Sequence, residues 1–127
     1  MTVLVDTQAY YWGLCSPADL SARARMALQD AGIRKVLSAA TFWEMTIKSN
    51  LGKLRMPKPV EVLWGEAEAA GMEVLGIQGA HLRQLSSLPG HHGDPFDRLM
   101  IAQALAEGWS VVSSDAQWDA YGVQRIW

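Results

Sequence analysis

TVLVDT, residues 2–7, is the stretch on which the reading of the fold turns. Its leading residues are β-branched or apolar and too few for a helix, and an acid with a threonine ends them. It therefore reads as a buried strand that stops at Asp6. The same pattern returns near the other end of the chain, where WSVVS (109–113) is followed by Ser114 and Asp115. RKVL (34–37) and EVLGI (73–77) read as two further strands, and QRIW (124–127) as an edge strand.

Helical pattern fills the gaps. Residues 9–14 carry it first, until Ser16 and Pro17 break it. Ser21 is placed to cap a helix over 22–31 that Gly32 stops, and Ser38 to cap one over 39–50 that Gly52 stops. In the latter, Ala40, Trp43, Ile47 and Leu51 are spaced for one buried face. After a loop marked by Pro57 and Pro59, residues 60–70 and 79–85 read as helices. The clearest helix follows the loop Pro89-Gly90-His91-His92-Gly93. Asp94 is a good N-cap, Pro95 suits the first helical position, and Phe96, Leu99, Met100 and Ala104 form an apolar face that runs to Gly108. A short helix over 117–121 is the last. Strands alternating with helices call for right-handed crossovers and a parallel sheet covered on both faces.

Composition limits the functions open to such a chain. Its 127 residues suit one domain with no linker to divide it, and 50% hydrophobic with 19% charged residues is the balance of a packed globule. No apolar run reaches the ~20 residues of a membrane span, and the N-terminus lacks the pattern of a signal peptide, so the expected location is the cytoplasm. Cys15 has no second cysteine to pair with and is expected to be a small buried hydrophobe. A net charge of -2 argues against coating nucleic acid by bulk electrostatics, so any such contact must be local. The six tryptophans could stack on bases, but core and interface packing is their commoner use. No GxGxxG follows the first strand and no GxxxxGK[ST] is present, which removes the phosphate cradles of dinucleotide and P-loop proteins. An aspartyl-nucleophile phosphatase would want an acid at position 8, which is Gln8.

The chemistry lies in the acids. In parallel α/β folds, sites form beyond the carboxyl ends of strands, where Asp6 and Asp115 stand. Glu44 and Asp97 sit on helices that such a sheet can bring to the same crevice. Each acid has an ordinary explanation taken singly. Asp6 and Asp115 can cap the next helix, Glu44 with Lys48 is an i,i+4 surface pair, and Asp97 suits a helix N-terminus. Together they form an oxygen-rich set for Mg²⁺ or Mn²⁺, and a cation so held can activate water for phosphodiester hydrolysis. Asp94 reads as the cap first and as a member of the acid group second. His91 and His92 read as loop residues facing substrate, because neighbours in sequence rarely direct both rings at one ion. Lys48, Lys53, Arg55, Lys58 and Arg98 lie near these segments and are candidate phosphate contacts.

In LVDTQAYYW (4–12), LSAATFWEMTIKSNLGKL (37–54), HHGDPFDRLMIAQALAEG (91–108) and VVSSDAQWDAYGVQRIW (111–127), the chain resembles the PIN domain family, and within it the VapC-like toxins of toxin-antitoxin pairs. The resemblance spans nearly the whole chain. It implies a three-layer α/β/α sandwich around a mostly parallel sheet of about five strands. It further implies a metal-dependent endoribonuclease that leaves a 5′-phosphate and a 3′-hydroxyl, works as a homodimer and is blocked by a VapB-like antitoxin. Carried over, Asp6, Glu44, Asp97 and Asp115 match the family's acidic quartet, and Thr7 and Ser113 match polar positions flanking the first and last acids. Asp94 and Arg98 are weaker candidates beside the site. Two other readings stay open: a PIN-like module that has lost turnover and binds RNA or protein, and a nuclease that cuts DNA.

Overall fold

A computed structural model describes residues 1–127. Five strands, β1 (Thr2–Val5), β2 (Arg34–Ser38), β3 (Glu73–Leu75), β4 (Ser110–Val112) and β5 (Arg125–Ile126), form one sheet in the order β3-β2-β1-β4-β5. Every neighbouring pair is parallel, with β1 set between β2 and β4 through Val5↔Leu37 and Val5↔Val112. The helices are α1 (Thr7–Cys15), α2 (Ala22–Gln29), α3 (Ala39–Asn50), α4 (Val60–Ala69), α5 (Gly79–Ser86) and α6 (Pro95–Glu107).

The strand order accounts for the layers. From β1 to β2 to β3 the chain steps one way across the sheet, then jumps back over both strands to place β4 on the other side of β1. With right-handed crossovers, reversing the direction of travel moves the connecting helices to the opposite face. Accordingly Val3, Val5, Leu37 and Val112 pack with residues of α1 to α4, such as Tyr10, Ala24, Met45 and Leu63. Leu4, Val36 and Val111 pack on the other face with Met100, Ile101 and Ala104 of α6 and with Trp118. Successive strand residues are thus buried on alternate faces, which explains why these strands are apolar throughout instead of alternating. Each such Val or Leu, fully buried, contributes about 1.5–3 kcal/mol of transfer free energy.

Several expectations shift at their edges. α1 begins at Thr7 because Asp6 caps it, its Oδ1 accepting from the Ala9 N–H at 2.7 Å. α2 ends at Gln29, where Asp30 leaves helical geometry and its Oδ1 takes the Gly32 N–H at 2.8 Å. The last short helix is a 3₁₀ segment over Ala116–Tyr121.

Two packing expectations are wrong. The buried face of α3 is not the Ala40-Trp43-Ile47-Leu51 stripe, since Trp43 is 57% and Leu51 63% exposed. Of that stripe only Ala40 is buried, and Thr41, Phe42, Glu44 and Met45 join it, because the helix lies between the core and a neighbouring acid-lined cavity and must present two adjoining faces inward. Cys15, at the last turn of α1, is exposed. The tryptophans divide. Trp118 is fully buried, whereas Trp64 is 36% exposed beside Phe42, with ring centres 5.0 Å apart.

Candidate metal centre

The point where the strand order reverses lies between β1 and β4, and a cavity of about 250 Å³ opens beyond their carboxyl ends. Asp6, Glu44, Asp94, Asp97 and Asp115 line it together with Lys48, Thr7 and Tyr11. Sequence-distant acids meet here because β1, β4 and α6 end or begin at the same crevice and the side of α3 borders it.

Asp6 follows β1 directly, and its backbone N–H extends the ladder to Val112 O at 3.0 Å. Only 5% of the residue is exposed. Burial lifts its pKa to about 6, against the opposing effect of hydrogen bonds from Ser113 and the Ala9 N–H, with the Glu44 and Asp115 charges adding to the rise. Ser113 also accepts from the Asp115 N–H at 3.1 Å, so one buried hydroxyl ties the acids that follow β1 and β4. Asp115 caps the 3₁₀ segment through Gln117 N–H at 3.0 Å. Thr7 is buried at the cavity wall, and its Oγ1 pairs with Thr41 Oγ1 at 3.0 Å, linking α1 to α3.

Asp94 and Asp97 come from the first turn of α6. Asp94 Oδ1 accepts from Phe96 N–H at 2.8 Å and Asp97 N–H at 3.1 Å, so its capping role is real while the residue still lines the cavity. Burial raises the pKa of Asp97 to about 7, helped by the charges of Asp94 and Glu44. Glu44 stands on α3, only 4% exposed, so its pairing with Lys48 is not the solvated surface device that the spacing alone allows. Lys48 Nζ donates to Oε2 at 2.6 Å. Oε1, also buried, has no partner at all.

That unpaired oxygen is the test of fit for a divalent cation. A buried carboxylate oxygen with no donor costs about 1–3 kcal/mol or more, and charged groups sit at the upper end. Glu44 itself lines a cavity already rich in hard oxygen donors, the set that Mg²⁺ and Mn²⁺ prefer. Burial first, and the charges of the neighbouring acids second, raise the pKa values of Asp6 and Asp97. The donor set fits such an ion.

Two side chains are not where the sequence suggested. Arg98 spends its guanidinium on the loop before α6, donating to Pro89 O at 2.7 Å, Leu88 O at 3.2 Å and Tyr121 Oη at 3.3 Å, and does not line the cavity. His92, expected to be a loop residue facing substrate, reaches the acids instead. Its Nε2 lies 2.8 Å from Asp115 Oδ2 and 3.1 Å from Asp97 Oδ2, while His91 is exposed and meets Tyr121 edge-on at 5.2 Å between ring centres. The histidines do diverge, as neighbours should. The available signal was His92 standing two residues before a helix cap, which lets its ring fold back over the helix N-terminus.

A doubly wound α/β domain whose switch-point crevice gathers five carboxylates is a class in which a bound cation can work on phosphate esters. The PIN domain family model matches residues 3–124, and the chain belongs to that family. It is 30% identical over 115 residues to Ribonuclease VapC22 of Mycobacterium tuberculosis, covering 90% of this chain and 87% of that protein. Among solved structures, the fold matches VapBC2 from Rickettsia felis bound to a promoter DNA fragment, with TM-score 0.72 at 10% identity over 99% of both chains. DNA-bound VapBC from Salmonella typhimurium matches with TM-score 0.71 at 16% identity, over 98% of this chain and 96% of that one. No helix is long and apolar enough to cross a membrane.

Proposed function

We propose that residues 1–127 act as one nuclease domain, a Mg²⁺- or Mn²⁺-dependent endoribonuclease that serves as the toxin of a VapBC-like pair in the cytoplasm. The observation that carries the proposal is that Glu44, whose buried Oε1 is unpaired, lines one cavity with Asp6, Asp97 and Asp115. Similarity to a named ribonuclease over 90% of the chain supports RNA as the substrate. The VapBC complexes among its structural relatives support a VapB-like antitoxin as the partner. The family resemblance alone suggests that the toxin acts as a homodimer.

Asp6, Glu44, Asp97 and Asp115 would hold the cation, which when bound supplies charge neutralisation for the phosphate and a more acidic water. The protein's own part is arrangement. Asp6 and Asp115 are fixed by their caps and by Ser113, Asp97 rides on the first turn of α6, and the positive end of that helix favours the anionic groups gathered before it. Lys48 holds Glu44 and lines the cavity, where an ammonium can meet a phosphate oxygen. An acidic cavity of this kind would accept an arginine or lysine from an antitoxin segment, which would occupy the cation's place.

The test is cleavage of RNA by purified protein with Mn²⁺, against EDTA and against Asp6→Ala and Asp97→Asn, with DNA of matched sequence in parallel. Cleavage confined to RNA, lost in EDTA and in both variants, is the expected result. Activity that survives either variant would overturn the metal reading, and equal cutting of DNA would overturn the substrate.

A further inference from the structure

His92, Asp97 and Asp115 present three donor atoms within 4.8 Å of one another, which on distance alone describes a three-ligand metal site. Hydrogen bonding gives the histidine a different role. We infer that His92 is a positioning residue that donates its Nε2–H to the Asp115 carboxylate, close beside that of Asp97, and is not itself a ligand. This inference deepens the proposed metal site and rests on that reading for its consequence.

The decisive contact is on the far side of the ring. Nδ1 of His92 accepts the Asp94 N–H at 3.1 Å, so its lone pair is turned to that donor and the ring proton sits on Nε2. An imidazole that binds metal through Nε2 needs the reverse arrangement, with the proton on Nδ1 and a partner there to accept it. Here that partner would be another N–H. The conflict cannot be relieved by a small shift, because Asp94 is fixed as the cap of α6 and the loop that carries His92 is fixed as well. The His92 N–H donates to Tyr121 Oη at 2.7 Å, and Arg98 grips the carbonyls of Leu88 and Pro89.

Placement agrees with this. Asp97 and Asp115 line the cavity and His92 does not, although its Nε2 lies within 3.1 Å of an oxygen of each. Its side chain is 10% exposed. Repulsion between the two carboxylates is offset by an N–H that bonds Asp115 close beside Asp97 before any cation arrives, which keeps them together and leaves the centre all-oxygen. An all-oxygen centre favours Mg²⁺ and Mn²⁺, whereas an imidazole ligand would favour Zn²⁺.

The experiment compares wild type, His92→Ala and His92→Gln. The glutamine amide can place a donor near the position of Nε2. Nitrogen-15 NMR of the His92 ring is recorded on the metal-free protein and again with saturating Mg²⁺. Affinities for Mg²⁺, Mn²⁺ and Zn²⁺ are measured by calorimetry. The expected spectrum is the Nε2–H tautomer in both states, with affinity for all three ions about 10-fold weaker in His92→Ala and largely restored in His92→Gln. Loss of the Nε2 proton on metal addition, a defect confined to Zn²⁺, or no rescue by glutamine would overturn the inference. If wild type binds none of the ions, the metal reading fails separately. The metal-free spectrum still decides the donor, since an Nδ1–H tautomer there would refute it.

Discussion

Two histidines at two helix N-termini share one hydrogen-bonding plan and sit in opposite electrostatic settings. At the start of α5, Nδ1 of the fully buried His81 accepts the Gln78 N–H at 3.0 Å, and Nε2 lies 3.0 Å from Glu107 Oε1 at the end of α6. At the start of α6, Nδ1 of His92 accepts the Asp94 N–H, and Nε2 meets Asp115 and Asp97. The first arrangement joins one ring to one carboxylate and ties two helices. The second sets one ring against two carboxylates in a group of five acids, and Glu44 Oε1 in that group has no partner. A fold that can satisfy its charges at α5 leaves them unbalanced at α6, which marks the α6 end as the place where something else must supply positive charge.

The largest effect should separate the two regions most sharply. Asp97→Asn is expected to lower RNA cleavage at least ~100-fold, as removal of a metal-binding carboxylate should, while raising the melting temperature of the metal-free protein at pH 8 by a few degrees. The stabilisation follows because the variant removes a carboxylate that burial and its neighbours disfavour in the ionised form. His81→Ala should do the reverse. It leaves a cavity and an unpaired Gln78 N–H, and costs about 2–4 kcal/mol by denaturant titration with metal affinity unchanged. Weaker metal binding in His81→Ala would break the comparison.

What the sequence made legible follows the same division. Strand ends at Asp6 and Asp115 could be read because an apolar run that stops at an acid is a local pattern, and the cap at Asp94 because Asp-Pro at a helix start is one too. The face of α3 could not be read. Apolar spacing predicted Trp43 inside, but a helix that borders both a core and a charged cavity buries Glu44 and Thr41 beside Phe42 and Met45, and no single apolar stripe describes that. The contact of His92 with the acids could not be read for a related reason, since its partners lie 5 and 23 residues away and only the loop's path brings them together. Cys15 was misplaced because it ends α1 at the surface, and composition carries no information on that.

A more gradual effect concerns pH. Asp6 and Asp97 have folded-state pKa values of about 6 and about 7 against 3.8 for the free side chain. The folded protein therefore binds protons more tightly than the unfolded chain, and the stabilisation from protonating these two groups is fully present below the unfolded value. It is lost as pH rises through about 6 and then about 7. In EDTA, their contribution to unfolding free energy should fall between pH 4 and pH 8 by an amount on the order of 6 kcal/mol, at about 1.4 kcal/mol per pKa unit. The slope from these groups should flatten in Asp97→Asn and in the presence of Mg²⁺, which competes with the protons for the same oxygens. An unchanged slope in both conditions would show that the charge surplus at α6 is not what the geometry indicates.

The smallest effect is the most exact test of the contrast. Glu107→Gln keeps a carbonyl oxygen where Glu107 Oε1 now faces His81 Nε2, so the hydrogen bond survives without the charge. Glu107 is partly exposed, its side chain at 32%, and an ion pair in that setting is worth about 1 kcal/mol or less. The variant should unfold within about 0.5–1 kcal/mol of wild type and cleave RNA at the same rate. The matching change at the other histidine, Asp115→Asn, also keeps a carbonyl for His92 but removes a carboxylate from the cavity, and should weaken Mn²⁺ binding about 10-fold or more. If both amide variants were silent, the acids around α6 would be holding structure in the way Glu107 does, because a centre that needs carboxylate charge cannot tolerate its loss.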